Sequence, residues 1–140
     1  MVSITADTNV LVRLATLDDP DQAAAAKVAV NQADLIVVPL PVLCELVWVL
    51  KSFYRLSRHD IAEAVRRLVA SEKVKANLPA IKAGLALLEA GGDFADGVIA
   101  HLGATDGAPT FVSFDQAACD LLGQQGYQTH LLAADPNTKA

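Results

Sequence analysis

Charged and aromatic side chains are both scarce in this chain, at 19% and 5%, while 53% of the residues are apolar. That balance excludes a disordered segment, which needs high charge and low hydrophobicity. Cysteine is rarer still. Cys44 and Cys119 are too few for a disulfide-stapled scaffold and lack the paired spacing of a zinc site, so both read as buried, reduced thiols. Long hydrophobic runs are missing as well. The longest, Leu35 to Leu50, holds Pro39, Pro41 and Glu45 and falls short of the ~20 residues a membrane span needs. No basic segment precedes an apolar stretch near Met1, so no secretory leader is expected and the expected location is cytoplasmic. No glycine-rich loop follows a strand-like run, and no serine sits in a nucleophile elbow. His59, His101 and His130 are scattered without ligand spacing.

What the chain does have is enough length for a real core. Its 140 residues read as a single domain over 1–140. The net charge of −5 argues against a general nucleic-acid binder, but the charge is unevenly spread. From Lys51 to Lys82 eight basic residues face only three acids, Asp60, Glu63 and Glu72. A solvated helix face is the plain account of that stretch. Beside an acidic catalytic site, it is also the surface an RNA-cleaving protein needs to hold phosphates.

Apolar runs alternate with helical patterns. Val2 to Ala6 reads as a buried strand, followed by a helix capped by Asp7 or Thr8 and running to about Ala15. A second helix starts at Asp18-Asp19-Pro20-Asp21 and ends near Gln32. Leu35 to Val38 is a short apolar strand. Pro41 suits the first turn of a helix to about Tyr54, and Ser57 with Asp60 caps another to about Ser71. Lys73 to Ala76 is a short strand. Pro79 opens a helix that Gly91-Gly92 ends, and Asp93 caps one to about Leu102. Pro109 to Phe114, Gln116 to Leu122 and Tyr127 to Leu132 read as strand, helix and strand. The class is α/β, with a central, mainly parallel sheet covered by helices on both faces.

Four acids stand out against this pattern: Asp7, Glu45, Asp96 and Asp115. In parallel sheets ligands bind beyond the carboxyl ends of the strands. Asp7 and Asp115 each follow a strand and precede a helix, which points both to one sheet edge. Capping by itself accounts for Asp7, Asp93 and Asp115. Glu45 is harder to explain, because its helix neighbours Pro41, Val42, Trp48 and Val49 make an apolar face on which an unpaired carboxylate is costly. Asp96 projects past the Asp93 cap, beside Gly97, which allows another backbone or a substrate to come close. Thr8, Asn9 and Ser113 add hydroxyl and amide oxygens. Such a donor set suits a hard divalent ion, Mg²⁺ or Mn²⁺.

Asp7-Thr-Asn-Val-Leu-Val-Arg, Glu45 in an apolar helix, Asp93-Phe-Ala-Asp96 and Ser113-Phe-Asp115 together resemble the PIN-domain family. More narrowly, they are similar to the VapC toxins of bacterial VapBC toxin–antitoxin modules. The likeness covers nearly the whole chain; each motif is weak alone, and the ordered set is specific. It implies an Mg²⁺- or Mn²⁺-dependent endoribonuclease whose catalytic and metal-binding acids fall on Asp7, Glu45, Asp96 and Asp115. Asn9 and Ser113 fall on the family's supporting polar positions, and Asp93 on a frequent but less essential acid. It also implies an RNA substrate, a VapB-like antitoxin partner and a homodimer, with no membrane partner. Two positions depart from the pattern: Ser113 stands where threonine is commoner, and Gly97 where alanine is usual.

Three other readings are weaker. A phosphoacceptor receiver domain needs a lysine on a late strand, and none lies between Lys82 and Lys139. A haloacid-dehalogenase-like phosphatase needs an aspartate where Asn9 stands. A PIN-like module that binds RNA or protein without cutting is the remaining alternative.

Overall fold

The computed structural model describes residues 1–134 and divides the chain into two compact units, Met1–Leu78 and the part from Pro79 onward. The first unit contains β1 (Ser3–Thr5), α1 (Thr8–Thr16), α2 (Pro20–Gln32), β2 (Leu35–Val37), α3 (Leu40–Ser52), α4 (Arg58–Ala70) and β3 (Val74–Lys75). The strands form a parallel sheet in the order β1-β2-β3. Ile4 stands opposite Ile36, and Ile36 opposite Val74. Parallel neighbours need a crossover, and the helices between the strands supply it.

Local chemistry sets the helix ends. Asp19 accepts from the Gln22 N–H at 3.1 Å, one residue before Pro20 opens α2. Ser57 accepts from the Asp60 N–H at 3.0 Å and caps α4. Both satisfy amide donors that a helix start leaves unpaired. The core follows the helical period. Leu43, Leu46, Val47 and Leu50 make one buried stripe on α3, and Ile61, Ala62 and Val65 another on α4.

The second unit holds α6 (Phe94–Thr105), β4 (Thr110–Ser113), α7 (Gln116–Gln124) and β5 (Gln128–Leu131). Before them comes α5 (Leu78–Glu89), which starts at the unit boundary. Strands β4 and β5 pair in parallel, with Val112 opposite His130. Leu87, Ala100 and Leu122 form the core of this unit, with Phe111, Leu121 and Tyr127 packed against it. Gly91, at φ +104°, turns the chain out of α5, a conformation that costs any residue with a Cβ.

Every ladder is parallel, so the α/β class holds. One detail differs from the sequence expectation: among the described residues the hydrogen-bonded strands fall into a three-stranded and a two-stranded sheet. Exposure alternates along β1 and β4, where Ser3, Thr5, Thr110 and Val112 are exposed and Ile4, Phe111 and Ser113 half-buried, whereas no residue of β2 is exposed. Among the described residues no helix is long and apolar enough to cross a membrane.

Candidate active site

In the first unit, Asp7 sits where β1 turns into α1. The Ala6 N–H donates to the Val37 carbonyl at 3.0 Å, which pins the strand end. The Asp7 Oδ1 then accepts from the Thr8 N–H at 2.8 Å as the α1 N-cap. The capping role expected for Asp7 is therefore real, but it occupies one oxygen. The other has no partner among the described residues and belongs to an exposed side chain. Asn9 is exposed beside it, whereas Thr8 is 4% exposed and works through its backbone N–H. Because β1 and β2 run parallel, Asp7 and the start of α3 leave the same edge of this sheet.

Glu45 is placed differently from its expected setting. It is exposed on α3, on the face that also carries exposed Pro41 and Trp48. The desolvation argument therefore does not apply: Glu45 is exposed with Pro41 and Trp48, and only Val42 and Val49 of its named neighbours are half-buried. It has no hydrogen-bond or ion-pair partner among the described residues.

The far end of α1 is tied down by a polar knot. Asp18 Oδ2 accepts from the Tyr54 hydroxyl at 2.7 Å, and Oδ1 accepts from Thr16 at 2.7 Å and from the Arg13 guanidinium at 2.9 Å. Arg13 also donates to Gln22 Oε1 at 2.6 Å. The Tyr54 hydrogen bond, followed by that from Thr16, holds the Asp18 carboxyl down at about 2. Sequence patterns do not reveal this knot, because Tyr54 lies 36 residues from Asp18.

In the second unit three carboxylates gather. Asp93 caps α6 through the Ala95 N–H at 3.4 Å, and Asp115 caps α7 through the Ala118 N–H at 3.0 Å. The Ser113 Oγ accepts from the Asp115 N–H at 3.0 Å and so shapes the turn after β4. Asp96, in the first turn of α6, is half-buried and bonds to nothing among the described residues. Its carboxyl is pushed up, first by desolvation and then by the negative charges of Asp93 and Asp115. A carboxylate that is partly desolvated and faces two like charges is one that a cation would relieve. Asp7 and Asp115 were expected at one sheet edge; they follow strands of different sheets, β1 and β4.

Gly97 has a specific packing reason. A Cβ there would meet the Ala83 carbonyl oxygen at 2.5 Å, and one on Gly84 would meet the Phe94 ring at 2.7 Å. The two glycines let α5 and α6 approach closely. Of the remaining candidates, His59 and His130 are exposed, and Cys119 is buried while Cys44 is half-buried. Lys51, Arg55, Arg66, Arg67 and Lys75 are exposed on the first unit. Among the described residues no three His, Cys, Asp or Glu side chains are arranged as a group that could hold a metal ion.

The PIN-domain family model matches residues 4–121, which span both units and include all four acids. The chain is a PIN domain. No curated protein matches it. Among solved structures it is similar to the VapC20 toxin of Mycobacterium tuberculosis, described as cleaving the sarcin–ricin loop. The two share 17% identity, covering 89% of this PIN domain and 96% of that chain, with a TM-score of 0.43.

Proposed function

We propose that this PIN domain is a divalent-metal-dependent endoribonuclease that acts as the toxin of a toxin–antitoxin pair. The observation that carries the reading is the family match over residues 4–121 on a chain that retains Asp7, Glu45, Asp96 and Asp115. The VapC-like motif set supports the narrower toxin role. In the two units these acids present carboxylate oxygens that the fold leaves unused, even where the same residue caps a helix.

The donor chemistry fits Mg²⁺ or Mn²⁺. Every candidate ligand is a hard oxygen donor, and like-charge crowding with desolvation at Asp96 is what a divalent ion offsets. Asp7 and Glu45 of the first unit and Asp96 and Asp115 of the second are the candidate ligands, and a bound ion would supply Lewis acidity at a phosphodiester and lower the pKa of water. Asp115 would orient the attacking water or hold a second ion. Asn9 and Ser113 support: Asn9 presents its amide beside Asp7, and Ser113 fixes the turn that carries Asp115. Asp93 contributes negative charge near Asp96. The exposed basic residues of α3, α4 and β3 would bind RNA phosphates. A VapB-like antitoxin and a second copy of the chain are the proposed protein partners.

The test is purified protein incubated with total bacterial RNA and Mn²⁺, with new 5′ ends mapped by sequencing. EDTA and Asp96→Asn are the controls. New ends that vanish in both controls support a metal-dependent ribonuclease. Folded protein that makes no new ends would favour a PIN module that binds RNA or protein without cutting.

A further inference from the structure

The second unit has few means of holding phosphates. Among its described residues six acids stand against one lysine or arginine, Lys82. What it exposes instead is apolar. Its large exposed hydrophobic side chains are Ile99, Val112, Phe114 and Leu131, and they flank the acids. Ile99 is one turn along α6 from Asp96. Val112 and Phe114 lead into Asp115, and Leu131 stands opposite Ser113 in the β4–β5 ladder. Phe114 is the most exposed of the four, at 68%. The bond from the Asp115 N–H to the Ser113 Oγ closes a turn with Phe114 at its middle, whereas Phe111 packs on the core. The Phe114 ring meets no other ring among the described residues. Its Cα lies about 3.8 Å from that of Asp115, whose charge is felt at Asp96.

We propose that the Phe114 ring is a stacking platform for an unpaired nucleobase of the RNA, next to the bond that is cut. This rests on the ribonuclease reading above and makes Phe114 a specificity-determining residue. A ring takes any base by its π-face and needs no charge to do so, which suits a unit whose own charges repel phosphates. A duplex offers such a unit little, because its bases are stacked on one another and its outer surface is sugar and phosphate. A nucleotide in a loop, a bulge or a single strand can turn its base onto the ring. The substrate class that follows is RNA with an unpaired nucleotide beside the scissile phosphate.

Binding is tested apart from cleavage. Full-length Asp96→Asn protein, which does not cut, is titrated in Mn²⁺ with fluorescein-labelled oligouridylate, with oligoadenylate of equal length, and with the duplex the two form. Both single strands are expected to bind more tightly than the duplex. Adding Phe114→Leu, which keeps an apolar side chain but loses the ring, should weaken both by about 5- to 150-fold, the range of one base–aromatic stack. Phe114→Tyr should restore them, and circular dichroism confirms each fold. In the parent, an abasic nucleotide at one position beside a mapped cut should lower kcat/KM, and the same nucleotide should cost Phe114→Leu nothing further. Absence of single-strand binding, or binding indifferent to Phe114→Leu, overturns the platform and leaves the ring to a protein partner. So does an abasic effect that is equally large in Phe114→Leu at every flanking position. A parent that makes no cut while single-strand binding depends on the ring sinks the ribonuclease reading and upholds the platform.

Discussion

Replacing Gly97 by alanine sets two effects of known size against each other. Alanine is favoured over glycine in a helix interior by about 0.8–1 kcal/mol. Against this, the new Cβ would sit 2.5 Å from the Ala83 carbonyl oxygen, 2.9 Å from the Gly84 Cα and 3.0 Å from the Ala83 carbonyl carbon. All three are backbone atoms and cannot rotate away, so α6 has to back off α5. Overpacking of this kind costs about 1–3 kcal/mol, and a rigid obstacle puts the cost in the upper part of that range. The expected net is a loss of about 1–2 kcal/mol, or very roughly 3–8 °C in Tm for a chain of this length. Gly103, on the same helix, is the internal control. A Cβ there meets nothing closer than the Ala108 carbonyl oxygen at 3.4 Å, so Gly103→Ala should hold or raise stability. Urea denaturation followed by circular dichroism measures both. If Gly97→Ala were as stable as Gly103→Ala, the close helix contact would not exist. Since Asp96 is the next residue, the same displacement should lower RNA cleavage in protein that remains folded.

Three further outcomes follow from the carboxylates. The raised pKa of Asp96 means that the folded state favours its protonated form. The associated stability is present below the unfolded value near 3.8 and is lost as pH rises through the higher folded value. Asp96→Asn should therefore gain on the parent in urea titrations as pH rises above about 4, while abolishing cleavage. A gap independent of pH would contradict this. Asp18 has the opposite sign. Its contribution is present above 3.8 and disappears as pH falls towards about 2, and Tyr54→Phe, which removes the largest cause, should move its NMR titration midpoint upward. At Asp7, asparagine keeps the cap and alanine does not. Asp7→Asn should thus lose cleavage at nearly unchanged stability, and Asp7→Ala should also lose about 1 kcal/mol. Equal cleavage by Asp7→Asn and the parent would remove Asp7 from the chemistry.

Local chemistry was sufficient for the order and type of the elements and for most of their ends. The Asp7, Asp19, Ser57, Asp93 and Asp115 caps act on amides within three residues, so short-range sequence specifies them. The ordered acidic motifs were legible for the same reason, each lying at a strand end or in the first two turns of a helix. Contacts distant in sequence were decided only in the folded chain. The period of α3 identifies an apolar helix but does not say which face turns to solvent, and packing left Glu45 and Trp48 outside. Gly97 reads as a weak point in a helix until Ala83 and Gly84 of α5 are placed against it. Tyr54 reaches Asp18 through a backbone path that no local pattern encodes. Hydrogen bonding at helix starts is a property of neighbouring residues, whereas burial and crowding depend on what the rest of the chain brings alongside.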